Sequence, residues 1–152
     1  MKDICEKSVD LGPGQFCTFD DREFLDNVKS KKGKVMVLEA VKYRDSDTHS
    51  AFDGEYMDCA FSVYGIEKPG DFAANDTTFS ECKAIARKVI TRIRKNAYPE
   101  FLTIPAPFRT LKRETTRGAF TRVSADGRIG YTCDFTLFYQ ISNEYNNADW
   151  TD

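Results

Sequence analysis

The sequence predicts a single α+β domain: an antiparallel or mixed β-sheet of about four strands, with a long amphipathic helix and a shorter helix packed on one face. The length of 152 residues and the apolar share of 41% suit one hydrophobic core. Apolar residues recur every three or four positions between residues 79 and 93, and every second position between 131 and 141. The first spacing is typical of a helix and the second of a strand.

The predicted order is helix, strand, strand, helix, strand, strand, in one domain at 1–142 that is followed by an acidic C-terminal tail at 143–152. Residues 1–19 are a candidate N-terminal arm, because the Gly-Pro-Gly break at 12–14 isolates the first eleven residues. Within this arm, 16–19 is either a short strand or extended chain. The shorter helix is predicted at Arg22–Lys31, where an aspartate N-cap precedes it and a glycine follows it.

The next two strands are predicted to pair antiparallel. Residues 35–41 form a nearly continuous apolar run, which predicts a strand covered on both faces. Residues 44–54 are polar and predict a long hairpin loop. The second strand, 56–66, is predicted to place four side chains on its inner face: Met57, Cys59, Phe61 and Val63.

The long helix has the clearest pattern in the sequence. Thr78 and Glu81 have the spacing of a capping box, with Phe72 as an earlier alternative start, and Pro99 is predicted to end it. Its apolar stripe comprises Phe79, Cys82, Ile85, Ala86, Val89, Ile90 and Ile93.

Two further strands are predicted, from Phe108 to about Thr116 and from Gly130 to Ser142, with a turn at 126–127 before the last strand. Between the helix and these strands, the two prolines in 101–107 predict extended chain outside a central strand. On the last strand, Phe138 is predicted to point away from the inner face. The predicted inward residues are Tyr131, Cys133, Phe135, Leu137, Tyr139 and Ile141.

Charge is distributed unevenly along the chain. Residues 1–82 have a net charge of −7, residues 83–128 of +9, and residues 129–152 of −4, which together give −2. A basic block between acidic ones is able to bind nucleic acid or the acidic face of a second copy. The alternative is that the blocks interleave in space and cancel.

The sequence offers few groups for catalysis, so we expect no enzyme and no cofactor or metal. The five cysteines are scattered without a C-x-x-C pair, and Cys59, Cys82 and Cys133 fall on predicted apolar faces. His49 is the only histidine, and the loop around it lacks the glycine and distal glutamate of a calcium site. With 30% charged residues and no long apolar run, no membrane partner is expected.

Surface residues are therefore the candidates for function. The basic segment that leads to Arg128 is suited to phosphates or to an acidic neighbour. Trp150 in the acidic tail is either a partner anchor, part of a tail that folds back, or disordered. Interface candidates are Arg109, Lys112, Arg113, Arg117, Phe120, Arg122, Phe138 and Trp150; the candidates to face DNA are Lys83, Arg87 and Lys88.

Four segments resemble tail-terminator-like proteins of tailed bacteriophages. They are the run 35–41, the strand 57–64, the helix segment 71–93 and the closing strand 130–137, and the likeness in element order covers about residues 20–142. The resemblance implies a virion protein, assembled in the host cytoplasm, that forms a ring at the head–tail junction or at the tail end. Within this family, tail terminators and other neck or connector proteins share the architecture.

As partners, the resemblance implies other copies in a cyclic homo-oligomer, a hexamer or higher, and neighbouring tail-tube or connector proteins. It also implies non-specific contact with DNA in the ring lumen. The loop 44–54 is long enough to reach a neighbour, which adds Arg44, Asp45 and Asp47 to the interface candidates. Two alternatives remain: a partner-binding adaptor that uses the Trp150 tail, and a nucleic-acid-binding module that uses residues 83–128.

Overall fold

A computed structural model describes residues 1–18, 30–39, 41–45, 54–97, 109–123 and 127–140. These residues form a mixed α+β fold, which confirms the predicted class, but the sheet has six strands instead of about four. The elements are α1 (Lys2–Glu6), β1 (Phe16–Thr18), β2 (Val35–Leu38), β3 (Lys42–Asp45), β4 (Gly54–Ile66), α2 (Phe72–Ala97), β5 (Arg109–Val123) and β6 (Arg128–Gln140).

The sheet has the strand order β1-β2-β4-β6-β5, and β3 also pairs with β4. Every pair is antiparallel except β1 with β2, so the sheet is mixed. The predicted antiparallel pairing of the strands around 35–38 and 56–66 is confirmed by β2 and β4. At the centre, β4 and β6 pair along 13 residues each.

The long helix covers one face of this central pair. Cys82, Ile85, Ala86, Val89, Ile90 and Ile93 are all buried, which confirms the predicted apolar stripe except at Phe79, which is only half-buried. They form one core cluster with Cys59, Phe61 and Val63 of β4 and Cys133 and Phe135 of β6, and Met57, Tyr131 and Leu137 pack against it. Phe61 and Phe135 meet there edge to face, with ring centroids 6.1 Å apart. The helix approaches closely at Gly65, where a Cβ would lie 2.5 Å from Cγ2 of Thr78.

The start of α2 follows the predicted alternative. The capping-box start at Thr78 is wrong, because the helix already begins at Phe72 and Asp71 caps it. Oδ1 of Asp71 accepts a hydrogen bond from the Ala74 amide at 3.0 Å, and its carbonyl accepts one from the Asn75 amide at 3.1 Å. The hydroxyl of Thr78 lies inside the helix and donates to the Ala74 carbonyl.

The other face of the sheet is also covered in part. Val35 and Val37 pack with Cys17 and Tyr64, whereas Met36 belongs to the core under α2, so the prediction of a strand covered on both faces is confirmed. The guanidinium of Arg128 is buried here and donates to the carbonyls of residues 31 and 33, at 2.6 and 2.7 Å. The sequence analysis counted Arg128 in an exposed basic segment, and this prediction is wrong because the side chain is buried.

A buried polar network runs along the same face. The hydroxyl of Ser62, fully buried, lies 2.6 Å from a carboxylate oxygen of Glu39 and 2.6 Å from the hydroxyl of Thr132. Because Glu39 is an acceptor, Ser62 donates to it and accepts from Thr132. Nearby, Thr136 donates to Asp58 at 2.6 Å.

The N-terminal residues pack onto the domain. Cys5 of α1 is fully buried and Leu11 nearly so, both in the core under α2. β1 pairs parallel with β2, so the short strand rather than extended chain is found at residues 16–18. The predicted helix Arg22–Lys31 lies outside the described residues except at its end, where Ser30 is helical.

Two strand predictions need correction. Residues 44 and 45 belong to β3, which pairs with β4, although the sequence predicted a loop. A four-residue edge strand with three charged residues shows no apolar alternation, which explains the error. β5 runs to Val123 instead of ending near Thr116, so the segment after 114 is part of the sheet up to that residue.

Several predicted features lie outside the described residues. These are the helix end at Pro99, the extended segment 101–107, the position of Asp126 in the turn, Ile141 and the acidic tail 143–152.

Replacing the core ring should cost far more stability than replacing an exposed one. Phe61→Ala is expected to lower the free energy of unfolding by about 3–5 kcal/mol, because it leaves a cavity beside Phe135. Phe72→Ala is the matched control, since Phe72 is 83% exposed, and its effect should stay within about 0.5 kcal/mol. Urea unfolding measures both; equal losses would contradict the described core.

Candidate functional site

The charges on α2 are segregated along its length. Residues 71–82 contain three acidic residues and no lysine or arginine, whereas residues 83–95 contain six basic residues and no acid. This order complements the helix dipole, which favours anions at the N-terminus and cations at the C-terminus. It also gives the molecule one end of α2 that is acidic and one that is cationic.

A groove lies between the cationic half of α2 and β5. We call it the cationic groove; it is lined by Arg87, Ile90, Thr91, Arg94, Thr116, Arg117, Gly118, Tyr131 and Cys133. The helix contributes Arg87, Thr91 and Arg94 at spacings of four and three, which places them on one side of α2. Across the groove, Arg117 of β5 is exposed. Among the described residues, no carboxylate forms an ion pair with these three arginines.

An irregularity in β5 shapes the edge of this groove. Between Lys112 and Arg117 the strand advances five positions while its partner β6 advances two, from Thr136 to Asp134, so β5 bulges. Thr116 lies in the bulge, and its hydroxyl oxygen is buried without a hydrogen-bond partner.

Gly118, two residues after Thr116, provides space at the edge of the groove. A Cβ at Gly118 would collide with the side chain of Tyr131, so glycine leaves room for this tyrosine in its observed position.

Beside the groove, three rings form an aromatic cluster of Phe79, Phe120 and Tyr131. Phe120 meets Phe79 and Tyr131 edge to face, with centroids 5.0 and 5.4 Å apart. The ammonium of Lys83 lies 5.7 Å from the Phe120 centroid and 5.9 Å from that of Tyr131. Phe120 is nevertheless 57% exposed, so much of its ring is open to a ligand.

Other basic residues are paired within the chain. Lys88 contacts Asp10 at 2.7 Å, and Arg122 forms an ion pair with Glu67, with Nε of the arginine 3.1 Å from Oε2. Both pairs join the basic block to the first acidic block, so the blocks interleave in part. The three arginines of the cationic groove have no such ion pair among the described residues.

The structure brings some predicted site residues together and separates others. Arg117 and Phe120 of β5 lie near Lys83 and Arg87 of α2. Phe138 of β6 is half-buried and stacks obliquely on Tyr56, with centroids 5.1 Å apart. Arg44 and Asp45 are separated from β5 by β4 and β6.

For the remaining interface candidates, the structure describes the backbone alone or nothing. Arg109, Lys112 and Arg113 are placed by the backbone of β5, whereas Asp47 and Trp150 lie outside the described residues. The sequence reasoning missed Arg94, Thr116 and Tyr131 as groove residues. Arg94 had a usable signal in its helical spacing from Arg87, but the approach of Thr116 and Tyr131 depends on the bulge and on Gly118.

The cysteines are poorly suited to nucleophilic chemistry. All five are buried, as predicted for Cys59, Cys82 and Cys133. Burial raises the pKa of these three thiols and of Cys5 to about 11, because a thiolate loses hydration there. Within the described ranges, no three His, Cys, Asp or Glu side chains are placed to hold a metal ion.

A membrane-crossing helix is not found in the part of the chain that the structure describes, since none of its helices is both long and apolar enough. Neither the models of known protein families nor the curated proteins include a match to this chain.

The raised thiol pKa values predict slow alkylation of the folded protein. At pH 8 these four thiols should react at least about 100-fold more slowly than an exposed cysteine, since their thiolate fraction is far smaller. After unfolding in urea, all five cysteines should react. Iodoacetamide labelling followed by mass measurement tests this, and rapid labelling of two or more sites in the folded protein would contradict the burial.

Proposed function

We propose that the protein is a structural virion subunit of a tailed bacteriophage that assembles into a closed ring at the head–tail junction or tail end. In this role it acts as a tail terminator or connector through contacts between proteins. The observation that carries the proposal is the long strand β5, whose 15 residues end the sheet on one side.

The outer edge of β5 is suited to pairing with another chain. One side of the strand is bonded to β6, and within the described ranges no strand pairs with the other side. Residues 118–121 are uncharged, and Gly118, Ala119 and Phe120 are exposed. Proteins usually protect such an edge with charges or cover it, because it offers unpaired amides and carbonyls to a further strand. Here Arg117 and Arg122 flank the uncharged stretch, and Arg122 is held by Glu67.

The opposite side of the sheet is different, and this favours a ring over a two-fold dimer. It consists of the three-residue β1 and the four-residue β3. Contact between unlike surfaces is heterologous, and heterologous contacts close into rings when the rotation allows it. The acidic and cationic ends of α2 supply complementary charges for the same head-to-tail arrangement.

The assignment to bacteriophages is supported by the resemblance of residues 20–142 to tail-terminator-like proteins. The strands β2, β4 and β6 and the helix α2 coincide with the four segments that carry it. In the proposed ring, the partners are further copies, a neighbouring tail-tube or connector protein, and the DNA that passes through the lumen.

Native mass spectrometry over a concentration series tests the assembly. We expect a closed oligomer, a hexamer or higher, that weakens between low and moderate salt because complementary charges contribute to the contact. Ala119→Lys places a charge in the uncharged stretch of the β5 edge and should shift the protein to monomer. Val9→Lys is the control with the same change in charge and should have a smaller effect, because Val9 is 98% exposed and lies beside Lys88 and Arg92 instead of on the β5 edge or the acidic end of α2.

Two results would contradict the proposal. A monomer at all concentrations would show that the isolated chain does not self-assemble. A dimer as the largest species would indicate that two copies of β5 pair with each other, which leaves no surface for ring closure.

A further inference from the structure

The cationic groove has a composition that the fold does not require. Arg87 and Arg94 of α2 and Arg117 of β5 line it, and none of the three forms an ion pair with the described carboxylates. Like charges in one groove repel each other, so this arrangement costs stability in the absence of a ligand. An anion in the groove would remove that cost.

The donors in the groove favour phosphate groups. A guanidinium presents a planar fork of N–H donors that matches phosphate oxygens in pairs. The hydroxyl of Thr91 already donates to the Arg87 carbonyl at 2.9 Å, and that of Thr116 is buried without a partner, so the guanidinium groups are the donors that a ligand would meet. Arg87 and Arg94 lie about two turns apart along α2, a spacing that suits a chain of phosphates better than a single ion.

The aromatic cluster adds a second kind of contact. Tyr131 belongs both to the groove and to the cluster, so the exposed ring of Phe120 lies next to the groove. The ammonium of Lys83 lies over one face of that ring, so a base would stack on the ring where Lys83 leaves it open, with the ammonium near the phosphate of that nucleotide. A basic groove next to exposed rings is the combination with which proteins hold single-stranded nucleic acid.

We propose that the cationic groove binds the sugar–phosphate backbone of single-stranded nucleic acid, with Phe120 as the platform on which one base stacks. Single strands are favoured over duplex because the exposed ring needs a base face, and the bases of a duplex are stacked on each other. This site lies on one chain and does not depend on ring assembly.

Fluorescence anisotropy with a labelled oligothymidylate of about 12 nucleotides tests the site. The full chain is titrated between about 50 and 200 mM salt, because each phosphate contact with a single strand adds about −0.7 to the log–log salt slope. We expect the triple variant Arg87→Ala, Arg94→Ala, Arg117→Ala to reduce the magnitude of this slope by about 2. Arg117→Ala alone should reduce it by about 0.7, so the test survives if the triple variant folds poorly.

The stacking contact is tested separately. Phe120→Ala should weaken binding roughly tenfold and leave the salt slope unchanged, because it removes a base contact and no charge. Phe72→Ala, another exposed phenylalanine, is its control and should bind as the native protein does. Lys42→Ala on β3 is the charge-matched control for Arg117→Ala, since β3 lies on the other side of β4 and β6.

Four results would overturn the proposal. They are equal or tighter binding of a duplex of the same length, equal binding of an oligoglutamate peptide, equal effects of Arg117→Ala and Lys42→Ala, and no effect of Phe120→Ala. Equal binding of the peptide would mark the groove as a surface for acidic proteins. If native mass spectrometry shows no ring while nucleic-acid binding is intact, the result contradicts the proposed function but not the nucleic-acid site.

Discussion

The packing of the apolar stripe of α2 on the inner face of β4 and β6 is the contact on which the rest of the structure depends. It buries six helix side chains against the aromatic core of the sheet, and α1 and Leu11 complete the same cluster. Because this face of α2 is fixed, the opposite face and its cations must be exposed. The same contact places the last turns of α2 beside β5, so the groove follows from the core.

The outer surface therefore combines two features that arise from one helix. Its charges change sign along its length, and its cationic half borders the exposed strand of the sheet. Ion pairs of Lys88 and Arg122 remove part of the excess charge, but the groove arginines keep theirs. The proposed assembly uses backbone amides of the β5 edge together with the charges of α2, and the proposed phosphate binding uses the guanidinium groups of the groove.

The elements with strong periodicity were predictable from the sequence. The stripe of α2, the alternation of β4 and β6 and the buried run of β2 appear where the pattern placed them, because each follows directly from burial. The missed strands β3 and the second part of β5 lie at the edges of the sheet, where solvent removes the need for apolar alternation. The burial of Arg128 depends on carbonyls far away in sequence, and so does the groove, which needs the bulge and Gly118.

Amide hydrogen exchange of β5 as a function of protein concentration tests the central claim, that this edge is the assembly surface, most directly. In an antiparallel strand every second amide points away from the bonded neighbour, so about half of the amides in residues 117–121 are open at the edge of a monomer. The account predicts that these amides exchange rapidly in dilute solution and become protected as the oligomer forms. Oligomer formation without added protection in β5 would contradict it, because the copies would then meet through another surface.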